Sequence, residues 1–239
     1  MALLFLAYKH RIAFMASFNN PSLTESEIRQ AVRAQLVATG EPGVLVRDEL
    51  AVSSARVDLA RIGSRLEGFE IKSDFDTFDR LPRQVAAFSL LFDTMTLVVG
   101  DRYANEAVVA VPRWWGVLLA TTNGDGSVRL CSARSGRQNP SQSGLAFAEL
   151  LWRAEAANAL CELAGISAAK SWSSKKVRQR LAESASVDSI RRFAIERVRD
   201  PRRLEDWRAS RVQEGARAAR RSSSFLLAAE RGRPVCDTA

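Results

Sequence analysis

The stretch RVDLARIGSRLEGFEIK, residues 56–72, decides which fold the sequence predicts. Two short apolar runs flank the turn-like IGSR at 62–65, so we expect two strands, 55–62 and 66–72, joined in a tight hairpin. Each run also carries charge where a fully buried strand would carry apolar side chains. The hairpin is therefore expected to bury one face and to present charged groups on the other.

Alternation of side chains across a strand assigns these faces. Val57 and Leu59 are expected to share the core face of one strand, and Phe69 and Ile71 that of the next. The intervening residues then lie on the opposite face of the sheet. We predict that three charged residues gather there: Asp58, Glu70 and Lys72.

The segments around this hairpin predict a mixed α/β core. A capping-box pattern begins a helix expected over 25–38, and GVLVRDEL at 43–50 is expected to form the first strand. A helix with Pro82 in its first turn follows the hairpin, and a continuous apolar run at 94–100 predicts a buried central strand. The expected order is helix, three strands, helix, strand.

The second half of the chain predicts a further hairpin and then helices. Strands expected at 114–122 and 127–133 flank the turn sequence NGDG, and a polar linker follows at 134–143. Helical segments are expected at 144–165, 173–184 and 186–199.

Changes of composition along the chain suggest that it has four parts. They are an N-terminal extension at 1–21, a core at 22–133, a basic helical subdomain at 144–199 and a poorly ordered basic tail at 200–239. Met15 precedes a more ordinary beginning than Met1 does, so we expect translation to start there.

The net charge of +8 is unevenly placed. Residues 1–150 contain 16 Lys+Arg and 16 Asp+Glu, whereas residues 151–239 contain 19 and 11. Such a basic region predicts a polyanionic partner, nucleic acid above all, although a solvated helical surface is the alternative.

The cysteines and the single histidine narrow the class of protein. Cys131, Cys161 and Cys236 are far apart, and His10 stands alone, so a zinc finger or a histidine metal site is excluded. Widely spaced cysteines favour a reducing, cytoplasmic setting. No apolar run approaches the ~18 residues of a membrane span, so no membrane partner is expected.

Two carboxylates and an amine on rigid strands are suited to metal-assisted phosphodiester hydrolysis. Mg²⁺, or Mn²⁺, prefers oxygen ligands, and a bound metal lowers the pKa of an attacking water. In this interpretation Asp58 and Glu70 bind the metal, and Lys72 positions the water or offsets charge on the phosphate. The alternative is a surface hairpin with ordinary charges on its exposed face.

The pattern resembles the PD-(D/E)xK, or restriction-endonuclease-like, nuclease superfamily. The match rests on Asp58, Glu70 and Lys72 within the order α-β-β-β-α-β, and it covers residues 22–122 best. FEIKSDFDTFDRLPRQVAAF at 69–88 resembles more particularly a small bacterial and phage group of predicted DNA-repair endonucleases. The resemblance implies a restriction-endonuclease-like core with an added hairpin and a helical C-terminal subdomain.

Further residues are candidates for the same site. Members of the superfamily often carry an extra acid, for which Glu49 is favoured here over Glu25 or Glu27. Gln84 resembles a glutamine that helps to hold the site in some relatives, and a surface glutamine is the alternative. Members that cut both strands with one site each often pair, so a homodimer is compatible with the resemblance.

Basic residues are candidates for contacts with DNA. Arg80 and Arg83 are expected either to contact phosphate or to pair with nearby aspartates. The densest basic patch in the helical part is expected to hold the DNA backbone without reading sequence. It consists of Lys170, Lys175, Lys176, Arg178 and Arg180.

The sequence therefore leads to three hypotheses. The first is a Mg²⁺-dependent DNA endonuclease of DNA repair or of mobile-element and phage biology. The second is a non-enzymatic DNA-binding or partner-binding module on the same fold. The third is an RNA-directed or accessory nuclease.

Overall fold

The computed structural model of the protein describes residues 22–40, 43–52 and 55–200. The predicted N-terminal extension, the start at Met15 and the predicted tail beyond Asp200 lie outside the described residues. Contacts divide the chain into two units, Met1–Arg199 and Asp200–Ala239. The elements below all belong to the first unit.

Six strands form one mixed sheet with the order β1-β2-β3-β4-β5-β6. Pairing is antiparallel for β1–β2, β2–β3 and β5–β6, and parallel for β3–β4 and β4–β5. The strands are Leu45–Val52, Ala55–Ile62, Leu66–Lys72, Thr94–Val99, Gly116–Thr122 and Val128–Arg134.

Seven α-helices occur in the described residues, so the prediction of a mixed α/β protein is confirmed. The helix expected over 144–165 is two helices, broken where Trp152 adopts an extended backbone. The helices α1 to α7 are Glu25–Ala38, Leu81–Phe88, Ala107–Ala110, Gly144–Glu149, Arg153–Ala164, Ser174–Ser184 and Val187–Val198.

Helix α1 covers one face of the sheet. Thr24 and Glu27 form the expected capping box at its start. Ile28, Val32 and Leu36 recur at helical spacing and are buried. They pack in one apolar cluster with four residues of the sheet: Leu59, Ile71, Val98 and Ala120.

The other face of the sheet carries the larger core. Phe88 of α2 is fully buried and stacks against Trp115, with ring centroids 6.4 Å apart. The same cluster takes in the buried residues of α4 to α7, such as Leu160 and Leu181. The boundary predicted at 134–143 stays a prediction.

Strands β1 and β2 both change face at Glu49 and Asp58, which lie between the paired positions Asp48–Leu59 and Leu50–Val57. Val57 belongs to the larger core, whereas Leu59 packs under α1, so the prediction that they share a face is wrong. The physical reason is local: Glu49 has a φ of 51°, in the left-handed region, which breaks the alternation.

The element order α-β-β-β-α-β matches the expected order. This order alone does not confirm the description of the core as restriction-endonuclease-like. Within the described ranges, no helix combines the length and the apolar character that crossing a bilayer requires.

Candidate functional site

Glu70 and Lys72 form a buried ion pair on β3. The Glu70 side chain is 1% exposed, and Lys72 Nζ donates to its Oε1 over 2.8 Å. Gln84 of α2 donates its amide to the same Oε1. The structure therefore places the predicted supporting glutamine directly on the predicted acid.

Asp58 stands where β2 separates from β3. Pairing between these strands ends at Leu59 and Phe69, and Asp58 Oδ2 accepts the backbone N–H of Ile71 over 2.7 Å. A carboxylate thus replaces the ladder hydrogen bond that a further strand residue would have made.

Arg29 of α1 is a member of the site that the sequence analysis missed. Its guanidinium donates to Asp58 Oδ1 and to the Asp58 carbonyl, each over 3.1 Å, and it also pairs with Glu25. The sequence offers one weak signal, an arginine beside the buried position Ile28. Only the packing of α1 on the sheet brings it to Asp58.

One cleft of about 670 Å³ is lined by Asp58, Glu70, Lys72 and Gln84. Glu49 lies in its wall and pairs with Arg56 over 3.3 Å. Arg80 and Arg83 are exposed there, and neither forms an ion pair with a described residue. The structure therefore brings together seven predicted residues: Glu49, Asp58, Glu70, Lys72, Arg80, Arg83 and Gln84.

Burial dominates the electrostatics of the two central acids. It raises the pKa of Glu70 to about 8, with the negative charge of Asp58 adding to the effect and Lys72 opposing it. Burial also raises the pKa of Asp58, against the hydrogen bond from Ile71 and the charge of Arg29. Both carboxylates are held where negative charge is costly.

The donor set fits a hard divalent cation poorly. Both oxygens of Asp58 accept hydrogen bonds, one of them from a cation, and Glu49 pairs with Arg56. In the part of the chain that the structure describes, no three His, Cys, Asp or Glu side chains form a group that could hold a metal. Binding of Mg²⁺ or Mn²⁺ stays a prediction.

The predicted basic patch separates into internal and exposed residues. Arg178 donates twice to the carbonyl of Leu151, so its guanidinium is engaged in packing. The exposed members are Lys170, Lys175, Lys176 and Arg180. The last three line a second cleft of about 650 Å³ with Trp172, whose ring lies 4.9 Å from Lys176 Nζ.

Comparison with known proteins assigns the family. The family described as Bacteriophage P4 protein cII matches residues 19–212. This chain belongs to that family. A curated relative, Protein cII of Enterobacteria phage P4, is 28% identical over 181 residues, which are 74% of this chain and 67% of that protein. No solved structure matches the chain.

This assignment overturns the identification as a PD-(D/E)xK nuclease and as a DNA-repair endonuclease. The family that matches is the phage P4 cII family and not a nuclease family. The residue pattern was misleading because an acid followed by E-x-K also arises where two carboxylates are neutralised inside a fold.

The prediction of a metal-dependent endonuclease, and of an enzyme at all, is wrong for the same reason. The hypothesis of an RNA-directed or accessory nuclease is wrong for the same reason. The structure gives a physical basis: Asp58 is tied to Arg29 and to Ile71, and Glu70 to Lys72. The non-enzymatic alternative fits these findings better.

Proposed function

We propose that this protein is a non-catalytic DNA-binding module. The observation that carries the proposal is the exposed basic surface of Lys170, Lys175, Lys176 and Arg180, in and just before helix α6. Phosphate contacts made by such side chains bind DNA without cutting it and without reading its sequence.

The charges of this surface are little compensated. Lys170 and Lys175 form no ion pair with any described residue. Arg180 forms an ion pair with Glu183, but this pair is long, at 3.7 Å, and both side chains are exposed. Helix α6 itself begins with two lysines in its first turn, where the helix dipole is already positive. An anionic partner relieves that repulsion.

Other basic residues of the same region have internal roles. Arg178 binds the Leu151 carbonyl, Arg191 the Asp93 carboxylate, and Arg153 the carbonyls of the loop before α6. The arginines that shape the helical region are thus distinct from the residues that remain for a ligand.

The proposal extends to the architecture of the core and to the cellular setting. The order α-β-β-β-α-β supports a core that shares the restriction-endonuclease-like architecture without its catalysis. Free thiols at Cys131 and Cys161 support a reducing, cytoplasmic setting for DNA binding.

The test is the salt dependence of binding to labelled DNA. We expect the wild-type affinity to fall steeply between 50 and 200 mM salt, as counterion release requires. The triple variant Lys175→Ala, Lys176→Ala, Arg180→Ala is expected to weaken binding at low salt and to lower the log–log slope by about 2–3.

A matched variant loses the same charge elsewhere. Arg65, Arg113 and Arg129 are exposed and lie outside both clefts, so their replacement by alanine is expected to have a much smaller effect. Wild-type protein that does not bind DNA at 50 mM salt, or equal losses in the two triple variants, would contradict the proposal.

A further inference from the structure

We propose that the second cleft, beside helix α6, binds single-stranded DNA by stacking an unpaired base on Trp172. This inference rests on the proposed DNA binding and names the form of DNA that fits the surface. It starts from one half-buried aromatic ring that lies in the same cleft as three exposed cations, Lys175, Lys176 and Arg180.

The cleft follows one face of α6 from Trp172 onward. Apart from Ser173, its lining residues recur at positions i, i+3, i+4, i+7, i+8 and i+11, which is the spacing of one helical stripe. The stripe consists of Trp172, Lys175, Lys176, Gln179, Arg180 and Glu183. Lys176 and Arg180 are separated by ~6 Å along the helix axis, which is close to the separation of neighbouring phosphates in one DNA strand. The cations are thus spaced to follow a single backbone next to the ring.

Trp172 is held in place before any ligand binds. Its backbone N–H donates to the carbonyl of Ala169 over 3.0 Å, and Arg153 donates to the Trp172 carbonyl over 3.2 Å. Arg153 also donates to the carbonyls of Ala169 and Lys170, so one guanidinium fixes the turn that carries the ring. The ring itself packs against the larger core. A fixed platform gives up little conformational freedom when a base stacks on it.

The contact with Lys176 shows that a face of the Trp172 ring is open to a ligand. The Lys176 ammonium lies over the ring, 4.9 Å from its centroid, and the lysine side chain is exposed. An exposed cation–π contact is weaker than the stacking of a base on an aromatic side chain. A base can therefore take the place of the ammonium, and Lys176 then contacts the phosphate beside that base.

A DNA duplex does not use this ring. The bases of a duplex stack on one another and expose only their edges in the grooves, whereas every unpaired base exposes a face for stacking. The cations alone bind either form through its phosphates. The cleft volume of about 650 Å³ lies within the usual ~300–1,000 Å³ of small-molecule sites, which leaves room for one nucleotide. Trp172 is therefore the feature that favours single strands.

The experiment compares DNA strands of equal charge with and without bases. A labelled strand of twelve thymidines and an abasic strand with the same number of phosphates would each be titrated with protein at 50 mM salt. Because the two strands carry the same charge, the phosphate contribution to binding is matched between them. We expect wild-type protein to bind the thymidine strand at least about 5-fold more tightly than the abasic strand.

Replacements of Trp172 test whether it makes this difference. Trp172→Leu removes the aromatic face, so the thymidine-to-abasic ratio is expected to fall below about 2-fold, and binding to a duplex of the same length is expected to change by less than about 2-fold. Trp172→Phe keeps a smaller aromatic face and is expected to keep most of the ratio. Thermal melting checks that both variants fold.

Two control variants are expected to keep the ratio. Trp152 is 44% exposed and lies outside the cleft, so Trp152→Leu is expected to bind both strands as wild type does. The Lys175, Lys176, Arg180 triple alanine variant is expected to weaken both strands and to leave their ratio unchanged, because it removes phosphate contacts and not the ring.

Photocrosslinking locates the stacked base in wild-type protein. A strand in which 5-iododeoxyuridine replaces thymidine reacts under ultraviolet light with aromatic side chains that stack on its bases. Trypsin cleaves after Lys170 and Lys175, and the peptide 171–175 between them has Trp172 as its single aromatic residue. We expect mass spectrometry to find the main crosslink on this peptide.

The outcomes separate the two proposals. Wild-type protein that binds only the duplex, or that binds the abasic strand as tightly as the thymidine strand, overturns the stacking site and leaves DNA binding intact. A thymidine preference that survives Trp172→Leu, or a main crosslink on another peptide, also overturns it, because the base then stacks elsewhere. Failure to bind any of these DNAs overturns both proposals.

Discussion

Arg29 of helix α1 neutralises Asp58 at the point where strands β2 and β3 separate. Its Nη2 lies 3.1 Å from Asp58 Oδ1, and the two side chains are 23% and 21% exposed. The arginine comes from the helix on one face of the sheet, and its ion-pair partner Glu25 lines the same cleft as Asp58. Asp58, which suggested metal binding in the sequence, therefore has a structural role: it joins helix α1 to the sheet.

This pairing predicts a measurable coupling. Arg29→Met leaves Asp58 with a charge that is largely shielded from water, so we expect a loss of about 1–3 kcal/mol in the free energy of unfolding. Asn at position 58 can still accept the Ile71 N–H, so Asp58→Asn in the Arg29→Met background is expected to recover part of it. A double-mutant cycle by urea denaturation measures the coupling, and additive losses would contradict it.

Arg191 of α7 anchors the helical region to the sheet through Asp93. Its Nε and Nη2 each lie 2.7 Å from an Asp93 oxygen, and Asp93 also accepts the Leu66 N–H. Asp93 is fully buried, so Arg191→Met is expected to cost about 3–5 kcal/mol. The neighbouring Arg192 is 70% exposed, so Arg192→Met is expected to stay within about 0.5 kcal/mol.

The Asp93 pair also predicts how stability responds to acid. Burial alone would raise the pKa of Asp93, but the hydrogen bonds from Arg191 and Leu66 more than offset it, and the pKa lies below the ordinary aspartate value of 3.8. The stabilisation is therefore present above that value and lost as the pH falls through the lower pKa of the folded state. Wild type should have a higher free energy of unfolding than Asp93→Asn near neutral pH, and this difference should shrink on acidification. Urea denaturation at a series of pH values below 4 measures it.

Glu70 predicts the opposite dependence. Its pKa is raised from 4.5 to about 8 by burial and by Asp58, so the unfolded chain ionises before the folded one as the pH rises. Stability is therefore lost between about pH 4.5 and 8. Glu70→Gln is expected to be increasingly more stable than wild type across this range, as measured by urea denaturation at pH 5, 7 and 9.

A surface carboxylate serves as the control for Glu70. Glu149 is exposed, and Glu149→Gln, which removes one surface carboxylate, is expected to change the free energy of unfolding by no more than about 0.5 kcal/mol. A flat difference for Glu70→Gln would show that Glu70 is ionised without penalty in the folded protein.

Glu49 predicts an inverted preference between alanine and glycine. Its φ of 51° is strained for a residue with a Cβ, whereas glycine normally weakens a strand. We expect Glu49→Gly to be more stable than Glu49→Ala by about 1 kcal/mol. At Ala51, two residues later on the same strand, the glycine replacement should instead destabilise, and thermal melting of the variants compares the two sites.

Local pattern in the sequence predicted most of the elements. The capping box of α1, the hairpin of β2 and β3 and the apolar run of β4 depend on neighbours within a few residues, and each was placed within about two residues of its observed bounds. The break at Trp152 was missed because the apolar spacing continues through it. The face change at Glu49 was missed because nothing local marks a non-glycine residue as left-handed.

The candidate site likewise has a part that local pattern predicts and a part that depends on tertiary packing. Alternation along β3 places Glu70 and Lys72 on one face by covalent geometry alone, and Gln84 follows on the next helix. Arg29 contacts Asp58 across 29 residues of sequence, and Arg191 contacts Asp93 across 98. Both contacts depend on how the helices pack against the sheet.

The sequence by itself determined the order of helices and strands, the spacing of E-x-K and the excess of positive charge, because these are properties of neighbouring residues and of composition. Only the tertiary structure decided which charges are neutralised inside the fold and which are left for a ligand. The free energy of burying a charged group depends on the partner that tertiary structure brings to it from a distant part of the chain. A local sequence pattern does not contain that pairing.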